Sequence, residues 1–223
     1  MEDKLMQNLK LVIFDMDGLL FDTEMISYKA SAETFKSKYD IDFPLDVYKQ
    51  TIGMDIKGVE HFYSGKYGSN ISFSDFIGEY NRAFKRILDR EGLAIKAGVS
   101  ELLDYLDEKG VKRCIASSSS LSTIKNYLNI TSLTDRFDFY LSGEEVENGK
   151  PAPDIFLEAC RRANESSETA MVLEDSVNGF LAAKSAKINC IVVPDLIEPT
   201  SEINENAYKV VSNLEEVIEI ICQ

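Results

Sequence analysis

Five short, uninterrupted apolar runs punctuate the chain: LKLVIFD at 9 to 15, KRCIAS at 112 to 117, DFYLSG at 138 to 143, AMVLED at 170 to 175 and NCIVVP at 189 to 194. Continuous apolar character, without polar alternation, is the mark of strands buried on both faces. Between them, Ser122 to Leu128, Asp154 to Asn164, Asn178 to Ala186 and Asn213 to Ile221 carry apolar residues at helical spacing. Strand and helix in alternation predict a parallel sheet wrapped by helices, an α/β fold. Ligands of such folds bind beyond the carboxyl ends of the strands, so the residues that close each strand are the ones to inspect.

Nearly a hundred residues separate the first run from the second, too many for one crossover helix. The interval from about Met25 to about Leu93 is rich in Tyr, Phe, Lys and Asp, with helical patches at Ile26 to Lys38 and Phe73 to Arg90. It reads as a small inserted helical domain whose aromatic residues form its own core. The predicted division is a catalytic core of residues 1–23 and 94–223 and a helical domain of residues 24–93.

Composition narrows the partners. The chain of 223 residues carries 38 Asp and Glu against 24 Lys and Arg, a net charge of −14 that works against binding a nucleic acid polymer or an anionic lipid surface. The apolar runs fall far short of the roughly 20 residues a membrane helix needs. The charges scattered through MEDKLMQNLK argue against a secretory signal. Cys114, Cys160, Cys190 and Cys222 are far apart and suit small buried thiols better than a zinc site or a disulfide framework, so a reducing cytoplasm is the expected compartment.

The first strand ends in Asp15-Met16-Asp17-Gly18. Alternation along an extended chain points Asp15 and Asp17 the same way. Two unit charges about 4 Å apart repel by roughly 4 kcal/mol at an effective dielectric of about 20, which a cation or a shared proton must relieve. An Asp-Gly turn is the plainer alternative. The fourth strand ends in Glu174-Asp175-Ser176, which caps a helix or contributes two more carboxylates to a site for a hard divalent cation such as magnesium. The second strand ends in four serines, 117 to 120, a helix cap or an anion site built from a hydroxyl and backbone amides. After the third strand, two prolines stiffen GKPAPD around Lys150; a loop lysine is usually solvated, yet an ammonium is what this sheet edge otherwise lacks. His61 is the only histidine and falls in the inserted segment, and no G-x-S-x-G elbow is present, so a Ser-His-Asp triad is unsupported.

In this order these four sites resemble the motifs of the haloacid dehalogenase superfamily, in the branch of small sugar-phosphate phosphatases and β-phosphoglucomutases: DMDGLLFDTE at 15 to 24, IASSSS at 115 to 120, GKPAPDIF at 149 to 156 and VLEDSVNG at 172 to 179. The resemblance implies a Rossmann-like parallel sheet core with an inserted α-helical cap domain, hinged near Asp22-Thr23 and near Gly92. It implies that Asp15 is a nucleophile forming an aspartyl-phosphate and that Asp17 is the general acid and base. Ser117 and the amide of Ser118 would bind phosphoryl oxygens, and Lys150 would balance charge between Asp15 and the phosphate. Mg2+ would be held by Asp15, the backbone carbonyl of Asp17, Asp175 and, directly or through water, Glu174. The expected activity is magnesium-dependent hydrolysis of a small phosphorylated metabolite, a sugar phosphate or nucleoside-type monophosphate, by a monomer.

The rival is a phosphosugar mutase. Mutases of this branch carry a histidine shortly after the Asp-Thr pair, where this chain has Ser27. A phosphorylated signalling receiver is the reading from another class, but receivers are much shorter and lack an insertion. Substrate choice is expected to rest on the inserted segment, with Gly53-Met54-Asp55-Ile56-Lys57 and Lys66 as candidate contacts.

Overall fold

A computed structural model of the protein describes residues 8–54, 56–68 and 71–222. Among them the apolar runs form a parallel sheet of six strands: β1 (Leu11–Phe14), β2 (Lys112–Ser117), β3 (Phe139–Ser142), β4 (Ala170–Glu174), β5 (Asn189–Val192) and β6 (Lys209–Val210). The order across the sheet is β3-β2-β1-β4-β5-β6, so β1 lies in the middle and the direction of winding reverses between β1 and β4. Such a reversal splays the following loops apart and opens a crevice at the strand ends. Phe14 stands opposite Ile115 of β2 on one side and Leu173 of β4 on the other, which brings the ends of three strands level. Several predicted strands lose a residue or two at one or both ends. The short edge strand β6 was not foreseen, since two residues carry no readable period.

The chain forms two compact units, residues 8–22 with 94–222, and residues 23–93. The second contains α1 (Thr23–Tyr39), α2 (Leu45–Lys49), α3 (Ile56–Tyr67) and α4 (Phe73–Glu91). Its core gathers on Phe35, whose ring stacks on Phe43 at 4.6 Å and meets Phe76 at 4.9 Å and Tyr63 at 5.0 Å. Beside this core lies a cavity of about 280 Å³, lined among others by Tyr48, Thr51, Met54, Phe76 and Tyr80. Lys57 and Lys66 are exposed, as is His61; Asp55 lies outside the described residues.

The sheet-bearing unit adds α5 (Val99–Lys109), α6 (Leu121–Ile130), α7 (Asp154–Ala163), α8 (Val177–Ser185), α9 (Ser201–Asn206) and α10 (Leu214–Ile221). Leu11, Ile13, Cys114, Ala116 and Val172 share one buried cluster with Phe156 of α7 and Phe180 of α8. Alternation sends Phe14 to the other face, where it meets Phe137 edge-on at 5.6 Å. The segment that re-enters this unit is laced to the end of β1: the Asp22 amide donates to the Ala94 carbonyl at 3.0 Å and the Lys96 amide to that of Leu20 at 2.9 Å. No helix among the described residues is long and apolar enough to cross a membrane.

The four cysteines are unpaired. Burial pushes the thiols of Cys114 and Cys190 well up, and that of Cys160 up to about 11. Thiolate, the reactive form, is therefore suppressed at three positions, and Cys222 alone is exposed. A chromogenic disulfide reagent at mild alkaline pH is expected to label Cys222 rapidly in the native protein and all four thiols only after denaturation; rapid native labelling of Cys114 or Cys190 would contradict this core.

Candidate active site

Asp15 is the first residue beyond β1, and its amide still donates to the Leu173 carbonyl at 3.0 Å, so the backbone of β4 fixes where its side chain departs. Lys150, from the loop between β3 and α7, meets it there. The Lys150 Nζ donates to Asp15 Oδ1 at 2.5 Å, to Glu174 Oε1 at 2.6 Å and to the Ala116 carbonyl at 3.0 Å. An ammonium has three protons, and each has an acceptor here. The aliphatic stem is buried too, with Nζ 4.9 Å from the centre of the Phe156 ring. Burial alone would strip the proton from such a lysine; the two carboxylates outweigh it and hold the ammonium protonated above its usual range.

The same burial acts on Asp15. Loss of solvent is the largest influence and pushes its carboxyl up to about 7, against the pull of Lys150, with repulsion from Glu174 and Asp17 adding to the rise. Asp15, Glu174 and Asp175 each place a carboxylate oxygen within 4.8 Å of the others. These three with Asp17 bring four carboxyl groups near the single positive charge of Lys150, so the arrangement is short of cations unless protons are held there.

Glu174, wholly buried at the end of β4, is held on both oxygens. Oε1 takes the Lys150 proton, and Oε2 accepts the amides of Asp175 and Ser176 at 3.0 Å each and the Ser176 hydroxyl at 2.9 Å. Ser176 in turn caps α8, its Oγ accepting the Gly179 amide at 3.0 Å. Ser176 thus caps the helix, and the Glu174 and Asp175 carboxylates stand side by side at its start. A Cβ at Gly179 would stand 1.7 Å from Glu174 Oε1, so this spacing of Glu, Ser and Gly leaves room for the buried carboxylate at a helix start. Gly18 does the same for the other pair: its φ is +83°, and a Cβ there would lie 2.2 Å from Asp175 Oδ2.

The serine loop closes the other side. Ser117 is buried at the end of β2, and its Oγ accepts the Ser119 amide at 3.0 Å, which leaves the hydroxyl proton to be given to an anion. Ser118 is exposed, with its backbone packed against Gly143, where a Cβ would come within 3.2 Å. Ser120 caps α6. Two serines that the sequence did not single out are used here. Ser119 donates its hydroxyl to Asp17 Oδ2 at 2.8 Å, which ties the Asp17 carboxylate to the β2 loop. Ser142, wholly buried at the end of β3, donates to the Ser119 carbonyl at 2.8 Å and so pins that loop. The four-serine run pointed to Ser119 without distinguishing it from its neighbours. Ser142 could have been sought as one more strand-end hydroxyl.

The oxygen-only donor set fits a hard divalent cation. Asp15 and Asp175 supply carboxylates, and the missing side chain of Gly18 provides space beside Asp175. Glu174, with Lys150 on one oxygen and three donors on the other, is engaged as the anchor of Lys150.

Comparison with known proteins identifies the family. Residues 12–193 match the haloacid dehalogenase-like hydrolase family. Over 201 residues the chain is 32% identical to the probable pseudouridine-5′-phosphatase of Drosophila melanogaster, covering 87% of this chain and 86% of that protein. Identity to hexitol phosphatase B of Escherichia coli K12 is 32% over 183 residues, 82% of each chain. Among solved structures, a putative β-phosphoglucomutase from Thermotoga maritima superposes with a TM-score of 0.81 at 29% identity, over 96% of this chain and 99% of that one. With the family model matching most of its length and relatives above 30% identity over more than four fifths of it, the chain belongs to the haloacid dehalogenase-like hydrolases.

Proposed function

We propose that the protein is a magnesium-dependent phosphatase that hydrolyses a small phosphomonoester, a sugar phosphate or a nucleoside-type monophosphate, through an aspartyl-phosphate on Asp15. The observation that carries this reading is the clamped carboxylate. Lys150 fixes Asp15 Oδ1 and leaves the other oxygen to attack, with the Ser117 hydroxyl at the end of the adjacent strand. Relatives named as phosphatases of hexitols and of pseudouridine 5′-phosphate support the substrate class.

In the first step an Asp15 oxygen forms a bond to phosphorus while the bond to the ester oxygen breaks, and the departing oxygen takes a proton from Asp17. Water then attacks the aspartyl-phosphate; Asp17, now a carboxylate, takes the water's proton, and inorganic phosphate leaves with Asp15 restored. Ser119 holds Asp17 in place for both transfers. Ser117 and the Ser118 amide bind phosphoryl oxygens, on which charge accumulates as the phosphoryl group transfers, and Lys150 balances charge between Asp15 and the phosphate. Asp15, Asp175 and the Asp17 carbonyl would hold Mg2+, which when bound would supply the positive charge that the carboxylates of Asp15, Glu174 and Asp175 and the incoming phosphate dianion require beside Lys150 and a protonated Asp17. The helical unit is read as the cap that selects the leaving group.

A panel of phosphorylated metabolites assayed for phosphate release tests the activity. Asp15→Ala is expected to retain less than a few per cent of normal turnover with an unchanged circular dichroism spectrum, and a chelator is expected to stop turnover. Calcium is not expected to restore it, because its larger and looser shell misplaces the nucleophile. Substantial activity in Asp15→Ala, or full activity in the chelator, would refute the mechanism.

The division of labour between phosphatase and mutase gives a further test. Asp17→Asn is expected to slow phosphate release by about 10² to 10⁴-fold, the range for a positioned proton transfer. With Ser27 where mutases of the branch carry histidine, β-glucose 1-phosphate with magnesium and a trace of glucose 1,6-bisphosphate is expected to yield free phosphate and negligible glucose 6-phosphate. Rapid glucose 6-phosphate formation with little phosphate would favour the mutase.

A further inference from the structure

One part-buried ion pair of the sheet-bearing unit has no part in the chemistry above. β5 runs beside β4, with Val192 opposite Glu174, and three residues beyond that register the chain reaches Asp195. Its side chain is only 8% exposed. The Lys96 ammonium, on the segment that re-enters this unit, donates to Asp195 Oδ1 at 2.6 Å. Oδ2 is buried and has no hydrogen-bond partner.

Where that oxygen points matters. A Cβ built on Gly18 would stand 3.5 Å from Asp195 Oδ2 and 2.2 Å from Asp175 Oδ2, so both oxygens border the one small space that the glycine leaves open. An ion pair that served only to tie Asp195 to Lys96 would have no need to bury its second oxygen next to another carboxylate. A buried acceptor without a donor is costly, and one facing a like charge more so. A group that donates hydrogen bonds to both carboxylates removes both costs.

We propose that Asp195 is a positioning residue of the divalent-cation site: its Oδ2 accepts a hydrogen bond from a water of the hydrated cation held at Asp15 and Asp175, and Lys96 fixes it for that task. This rests on the reading of Asp15 and Asp175 as cation ligands. Mg2+ dehydrates reluctantly and keeps several of its waters on a protein, so acceptors placed outside its direct ligands decide how well the hydrated ion fits. Among the described residues, Asp195 offers a buried, unpartnered carboxylate oxygen beside Asp175.

The test is titration of the metal-free full chain with Mg2+, followed by calorimetry, and with Mn2+ as a paramagnetic probe. In Asp195→Asn the Lys96 ammonium selects the amide oxygen, which turns the NH2 toward Gly18 and presents a donor where an acceptor is required. The dissociation constant for Mg2+ is expected to rise by about 10-fold or more, the usual effect of losing an outer-shell partner, with the melting temperature of the metal-free protein little changed. Lys96→Met, which releases Asp195 from its anchor, is expected to weaken Mg2+ in the same direction and carries the test by the same criterion if Asp195→Asn fails to fold. Asp175→Asn serves as the control for the underlying site. Affinity within twofold of the unaltered chain in a folded Asp195→Asn, while Asp175→Asn loses binding, would overturn the role of Asp195 and leave the site standing. Absence of Mg2+ binding in the unaltered chain, or unchanged binding in Asp175→Asn, would instead remove the site and this proposal with it.

Discussion

A single ammonium shared between two buried carboxylates and a backbone carbonyl sets the requirements for the rest of the sheet edge. Lys150 could not remain charged at this depth alone, and Asp15 and Glu174 could not both remain charged without it. Their meeting requires β1 between β2 and β4, because the Ala116 carbonyl, Asp15 and Glu174 must arrive from three adjacent strands at one level. It also requires the chain to return from β3 along a loop rigid enough to hold a lysine inward, which two prolines beside Lys150 supply. Removing the ammonium would leave two buried carboxylates facing each other uncompensated, so Lys150 is the member on which the other two depend.

Helix α8 is tied to this unit through Glu174. The carboxylate lies over free amides at the helix start, where partial positive charge favours an anion, and Ser176 joins the cap to the carboxylate by accepting from Gly179 while donating to Glu174. Gly179 and Gly18 are glycine for the same physical reason. Each lies where a side-chain oxygen occupies the volume of a Cβ, and Gly18 also takes a positive φ. Close backbone approach thus places one carboxylate against a helix end and another against the turn after β1.

Much of this was legible in the sequence because strand ends are legible. Uninterrupted apolar runs located five of the strands to within a residue or two, and the polar residues that closed them were those that converge. What the runs could not show was the order of strands, since pairing between residues a hundred positions apart leaves no local period. Ser119 was hidden among equivalent serines, and only the depth of Ser117 and the cap at Ser120 separate their tasks. Glu174 was legible as a carboxylate but not as the anchor of Lys150, because that depends on the protons available around it in three dimensions. Lys96 and Asp195 are 99 residues apart, so their pairing appears only in the folded chain.

Local rules are obeyed over most of the sheet-bearing unit and broken at one edge of it. Elsewhere in that unit the buried side chains are apolar, and ion pairs such as Arg161 with Glu158 lie at the surface, where they stabilise little. At the strand ends, carboxylates crowd together, Asp15 is held far above the usual carboxylate range, and a carboxylate oxygen of Asp195 is buried without a donor. Folding alone gains nothing from that crowding, and apolar residues there would pack at lower cost. The excess of negative charge over Lys150 therefore has its counterpart in something that binds. In the proposed reaction a hydrated divalent cation would supply the missing positive charge and hydrogen-bond donors at that edge, and a phosphoryl group could then be accepted beside it.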